Sequence, residues 1–300
     1  MATLYTHQTE NISKTWVLMF VFLCVTVGLG WAISWYFQNP GILFFAVIFA
    51  IVMNIGSYWY SDKLVISLAR ATPADGPEYI ELNRIVENLS ITAGLPKPKV
   101  YIVQDPAPNA FATGRNAQHA AIAVTTGLLG MMEKTELEGV LAHELSHIGN
   151  RDMLVSTVAV VLVGIITLAS DFFLRASFWG GGRDREEKGN PLLAIVAIAF
   201  VVLAPILATL LQLAISRKRE FLADASGALL TRYPQGLASA LQKIGSYAAP
   251  MRTANNATAH LYISNPFGAR AAVRGISKLF MTHPPIADRI TALMGDTELV

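Results

Sequence analysis

From Trp16 to Phe37 the chain reads WVLMFVFLCVTVGLGWAISWYF, with no charge in 22 positions. A helix needs about 20 apolar residues to cross a bilayer, so this stretch predicts a membrane span. Three further uncharged stretches, Ile42–Tyr60, Met153–Ser170 and Pro191–Ile215, predict three more. Gln38-Asn39-Pro40-Gly41 joins the first two as a tight hairpin, and the polar, glycine-rich run Asp171–Asn190 joins the second two. The first apolar run is too long for the core of a cleaved leader, and another span follows at once. It therefore reads as a retained anchor. Trp16, Trp31, Trp35, Tyr58 and Trp59 cluster toward the span ends, as in an aromatic belt at headgroup level.

Composition agrees with this reading. The chain is 53% hydrophobic and 15% charged, against about 25% charged in soluble domains. A net charge of +2 with no long basic run excludes a nucleic-acid-binding module. The single cysteine, Cys24, lies inside a span and rules out an intramolecular disulfide.

Four spans divide the chain into an N-terminal transmembrane hairpin (1–60), a polar block (61–152), a second hairpin (153–215) and a second polar block (216–300). Both blocks and the N-terminus then share one side of the membrane. Lys14, Lys63, Arg70, Arg151, Arg217, Lys218 and Arg219 flank the spans there, which points to the cytoplasm. Arg175, Arg183, Arg185 and Lys188 in the second hairpin's loop weigh against that choice. Within the first block, Leu82, Ile85, Val86 and Leu89 give Glu78–Gly94 a helical period. Lys99–Val103 and His119–Val124 read as strands. Helical periodicity returns over Lys134–Gly149, with a stop at Gly149-Asn150. The expected architecture is mainly α with a small β-sheet.

On that last helix sits His143-Glu144-Leu145-Ser146-His147. Residues i and i+4 share a helix face, so both imidazoles can bind one Zn²⁺ ion, and Glu144 can reach a water on it. A catalytic zinc takes three protein ligands and keeps one position open. A third histidine six residues on is absent, because position 153 is Met. Asp152 is near but lies past the helix stop. The better candidate is Glu220, opening a helix just after the fourth span, with Asp224 one turn further on the same face. Carboxylates beside Arg217, Lys218 and Arg219 could equally form a solvated face.

His143-Glu144-x-x-His147 with Glu220-x-x-x-Asp224, on four spans, resembles the HtpX-type membrane zinc metalloproteases. These are gluzincins related to the CAAX prenyl proteases. The resemblance extends over Pro108–Gly114, Asn265-Pro266, His283-Pro284-Pro285 and Arg289. It implies a zincin-like domain facing the cytoplasm of a bacterial-type inner membrane, with one Zn²⁺ per chain. Glu220 becomes the third zinc ligand and Asp224 an acceptor that fixes a ligand histidine. Asn109 and Gly114 are expected along the substrate, and His283 and Arg289 beside the developing oxyanion. The implied role is hydrolysis of peptide bonds in misfolded or membrane proteins under stress, by a zinc-activated water with Glu144 as general base.

The expected partners are protein substrates and the lipid bilayer. A prenyl-peptide protease is the alternative within the same class. A transporter would carry charges inside its spans, which are absent here. A structural zinc would need four ligands, mostly Cys and His.

Overall fold

The computed structural model describes residues 4–158, 162, 217–253, 258–268 and 284–295. The Asp171–Asn190 connection, the stretch Pro191–Ile215 and His283 lie outside the described residues. So does most of Met153–Ser170, although residues 152–158 are helical.

Among the described residues, two helices, α1 (Leu4–Tyr36) and α2 (Pro40–Leu68), are long and apolar enough to cross a membrane. Their connection has the expected chemistry. Gln38 takes a left-handed turn, the Asn39 side chain accepts from the Gly41 N–H, and Pro40 opens α2 where a missing N–H costs nothing. Trp16, Phe20, Trp31, Phe44, Phe45 and Ile48 stay exposed, as side chains facing lipid would.

The polar blocks fold around a four-stranded mixed sheet of order β1-β2-β4-β3. Its strands are β1 (Thr72–Pro73), β2 (Lys99–Val103), β3 (Ala110–Gly114) and β4 (Ala120–Thr125). β2 and β4 run parallel, while β1 and β3 pair antiparallel with them. β2 and β4 lie close to the strands expected from sequence, whereas the two residues of β1 are too few to carry a periodicity. Gly114 ends β3 with φ +137, and a Cβ there would collide with the His119 carbonyl of the returning chain. Only glycine closes that turn.

Side chains alternate across the sheet. Ile102, Ala112, Ile122 and Val124 face α3 (Ile80–Ala93) and α5 (Lys134–Asn150), where Leu82, Ile85, Leu137, Val140, Leu141 and Leu145 complete the main core. A short helix, α4 (Thr126–Met131), leads from β4 to α5. On the opposite face, Val103, Phe111 and Ala123 meet Val65 and Ala69 at the end of α2, together with Tyr262. Phe111 and Tyr262 pack edge to face with centroids 5.0 Å apart, worth about 0.5–1.5 kcal/mol beyond area burial. The sheet is thus covered on both sides, and α2 runs directly into its packing.

Later in the chain come α6 (Arg217–Thr231), α7 (Pro234–Ser246) and α8 (Ile286–Met294). Their order along the chain hides their placement, since α6 and α7 both lie against α5. Leu154, Val158 and Leu162 pack on Leu18 and Phe22 of α1. The start of the third apolar stretch therefore sits beside the first.

Candidate metal centre

Helix α5 begins with a capping box in which the Glu133 N–H donates to the Glu136 carboxylate at 2.8 Å. It ends at Arg151, in the left-handed region at φ 58. Between these limits His143 and His147 share one face, rings crossed at 89° and Nε2 atoms 3.2 Å apart. Two nitrogens on a tetrahedral zinc at about 2.05 Å would stand about 3.3 Å apart, so this spacing fits.

The third donor arrives on α6, whose buried face is Glu220, Ala223, Asp224 and Gly227. Gly227 lies so close to α5 that a Cβ would stand 2.9 Å from the His143 backbone nitrogen. That close crossing brings Glu220 Oε2 within 3.8 Å of His143 Nε2 and Oε1 within 3.7 Å of His147 Nε2. One donor atom from each of His143, His147 and Glu220 falls within a single 4.8 Å group.

The other ring nitrogens are also committed. His143 Nδ1 lies 2.9 Å from Asp224 Oδ1, and His147 Nδ1 lies 3.3 Å from Asp152 Oδ2. Each carboxylate is placed to accept a proton from Nδ1, which leaves Nε2, the nitrogen on the Glu220 side, as the atom a metal would take. Burial pushes the His143 imidazole down to about 4 against the pull of Asp224. Burial also opposes protonation of His147, but Asp152, Glu220 and Glu144 outweigh it and push that ring up to about 9. Four carboxylates (Glu144, Asp152, Glu220, Asp224) face two guanidiniums (Arg219, Arg289) here.

Glu144 is 2% exposed, and its charge reaches both His147 and Arg289. Arg289, expected beside the oxyanion, has Nη2 3.5 Å from His143 Nε2. Its guanidinium is fully buried behind His143, giving two hydrogen bonds to Asp224 at 2.8 and 2.6 Å and one to the Ile263 carbonyl. Burial opposes charge on Asp224, yet these bonds and that of His143 hold its carboxyl at about 2.

Asn109 is likewise occupied inside the fold. Its amide nitrogen donates to the Ser264 carbonyl at 3.1 Å, and its oxygen accepts from the Ala110 and Ser264 N–H groups. It clips the start of β3 to the segment carrying Ile263, whose N–H donates to the Ala110 carbonyl. Gly114 serves the β3–β4 turn. Asp152 follows the helix stop, a position from which the sequence predicts no contact with the histidines. The left-handed Arg151 turns the chain back and points that carboxylate at His147.

Two histidines and a carboxylate on crossed helices, with Glu144 next to the first histidine, define a metallohydrolase. The profile of peptidase family M48 matches residues 78–297. A protease HtpX homolog of Caldanaerobacter subterraneus subsp. tengcongensis is 48% identical, over 97% of each chain. One from Pyrococcus furiosus is 46% identical, over 93% of this chain and 94% of its own. The crystal structure of S. mikatae Ste24p covers 96% of this chain and 67% of its own, at 20% identity and a TM-score of 0.49. The chain belongs to peptidase family M48. It is a membrane metalloendopeptidase, acting on protein substrates.

Proposed function

We propose that the protein hydrolyses peptide bonds of misfolded and membrane proteins at a single zinc held by His143, His147 and Glu220. The observation that carries this reading is the convergence of these three donors, with both histidines' second nitrogens tied to carboxylates. When bound, zinc supplies a Lewis acid for the scissile carbonyl and a water acidic enough to lose a proton near neutral pH.

The chain's own residues do the rest. Glu144 takes the proton from the attacking water and returns it to the leaving amine. Asp224 and Asp152 keep the two rings in register. Arg289 acts as a positioning residue: it neutralises Asp224 and so sets His143. Asn109 and Gly114 shape β3, an edge strand of the sheet, along which an extended substrate could pair by main-chain hydrogen bonds. His283 keeps its proposed place beside the oxyanion. Four spans, Ile42–Tyr60 and Pro191–Ile215 among them, would set the domain boundaries at 60, 152 and 215. The catalytic blocks would then face the cytoplasm of a bacterial-type inner membrane, where stress-damaged membrane proteins are the substrates.

The test is the full-length chain in detergent, assayed on a labelled unfolded protein with and without a zinc chelator. Cleavage that stops on chelation and returns with zinc supports the reading. Cleavage by rigorously zinc-free protein overturns it.

A further inference from the structure

Helix α1 has 33 residues, about 50 Å at 1.5 Å per residue, whereas a bilayer core of about 30 Å needs about 20 residues. The turns before Trp16 exceed what crossing requires. They carry Asn11 and Thr15, polar side chains only 3% and 1% exposed. A polar group is buried at a cost unless it finds partners, and Asn11 finds three.

Its Nδ2 donates to the Asn150 carbonyl at 3.1 Å and to Asp152 Oδ1 at 2.6 Å, while its Oδ1 accepts from Arg219 Nη1 at 3.3 Å. The two ends of the amide are distinguished: nitrogen faces two acceptors and oxygen faces a cation. The Asn150 carbonyl is one of the last of α5, which no N–H of that helix can satisfy. Asp152 is the residue whose second oxygen meets His147 Nδ1. An unbroken path therefore runs from α1 through Asp152 to a metal-binding ring.

We propose that Asn11 is a positioning residue of the metal centre, acting through Asp152 to set the His147 ring. The first membrane helix is then a working part of the site as well as an anchor. Asn11 and Arg219 grip one oxygen of Asp152, so the other can point only at His147. Without Asn11 the carboxylate gains rotamers, and the ring it orients gains them too. This inference rests on the reading of His143, His147 and Glu220 as metal donors.

The experiment measures zinc affinity of the full-length chain in detergent by competition with a chromophoric chelator, alongside kcat and KM. Asn11→Leu keeps the branched shape and the number of heavy atoms and removes all three hydrogen bonds. Its zinc Kd is expected to rise about tenfold or more, with kcat reduced and KM held. Asp152→Ala should lose at least as much, and the double variant no more than Asp152→Ala alone, because the effect passes through that carboxylate. Thr15→Val removes only the bond from Thr15 Oγ1 to the Asn11 carbonyl and should keep zinc affinity.

Wild-type affinity in Asn11→Leu overturns the proposal. So do losses that multiply in the double variant, or an equal loss in Thr15→Val. If Asn11→Leu fails to fold, Asn11→Ser is read against the same expectations. A wild-type chain that binds no zinc would instead refute the donor assignment itself.

Discussion

Arg289 closes on Asp224 through two hydrogen bonds, from Nε at 2.8 Å and Nη2 at 2.6 Å, with no part of the guanidinium exposed. Removing the cation strands a buried carboxylate, which costs about 3–5 kcal/mol. Arg289→Met should therefore unfold at markedly lower denaturant concentration and lose zinc. Arg289→Lys should rescue neither fully, since an ammonium cannot reproduce the paired geometry. Chemical unfolding in detergent and metal analysis check both variants; stability equal to wild type in Arg289→Met would contradict the assignment.

Glu144→Gln preserves size and removes the proton acceptor. We expect full zinc content with cleavage reduced by at least about 10²–10⁴-fold. Metal analysis beside a turnover assay separates the two effects, and near-normal turnover would remove Glu144 from the chemistry.

Glu220→Ala withdraws one of three donors while leaving the Asp224–Arg289 pair in place. Zinc should be lost on dialysis, and the stabilisation that zinc gives wild type should vanish with it. A thermal shift on adding zinc, measured in both proteins, decides the point; a wild-type shift in the variant would show that Glu220 is not a ligand.

Gly227→Ala tests the helix crossing. The new methyl would stand 2.9 Å from the His143 nitrogen, closer than such contacts allow, so α6 must move away from α5. Overpacking of this kind costs about 1–3 kcal/mol, and the displacement carries Glu220 with it. Weakened zinc binding in Gly227→Ala, with none in an exposed Leu229→Ala, is the expected pattern.

Acid stability depends on Glu136, which accepts from Ser239 and Lys243 at 2.6 Å each. Burial alone would raise its pKa, but these bonds outweigh burial and bring it below the ordinary 4.5. The unfolded chain therefore binds the proton more readily. The group's stabilisation is present above that ordinary value and drains away as pH falls through the folded one. Glu136→Gln should lose less stability than wild type on acidification, as read from unfolding curves across that range.

Much of this protein is local and so was open to reading in one dimension. Apolar runs long enough to span lipid marked α1 and α2, because bilayer thickness acts on consecutive residues. The spacing of His143 and His147 placed two rings on one face, because helix geometry alone sets that relation. The tertiary structure decided everything that depends on surfaces meeting. Glu220 reaches the histidines because Gly227 lets two backbones touch, and nothing in the Arg217–Thr231 pattern announces that contact. Arg289 turns inward to Asp224, and Asp152 becomes a partner of His147 through a single left-handed residue. Asn11 meets Asp152 across 141 positions of sequence. Such pairings have no period to detect, since they are fixed by which buried polar groups must satisfy one another once the chain has packed.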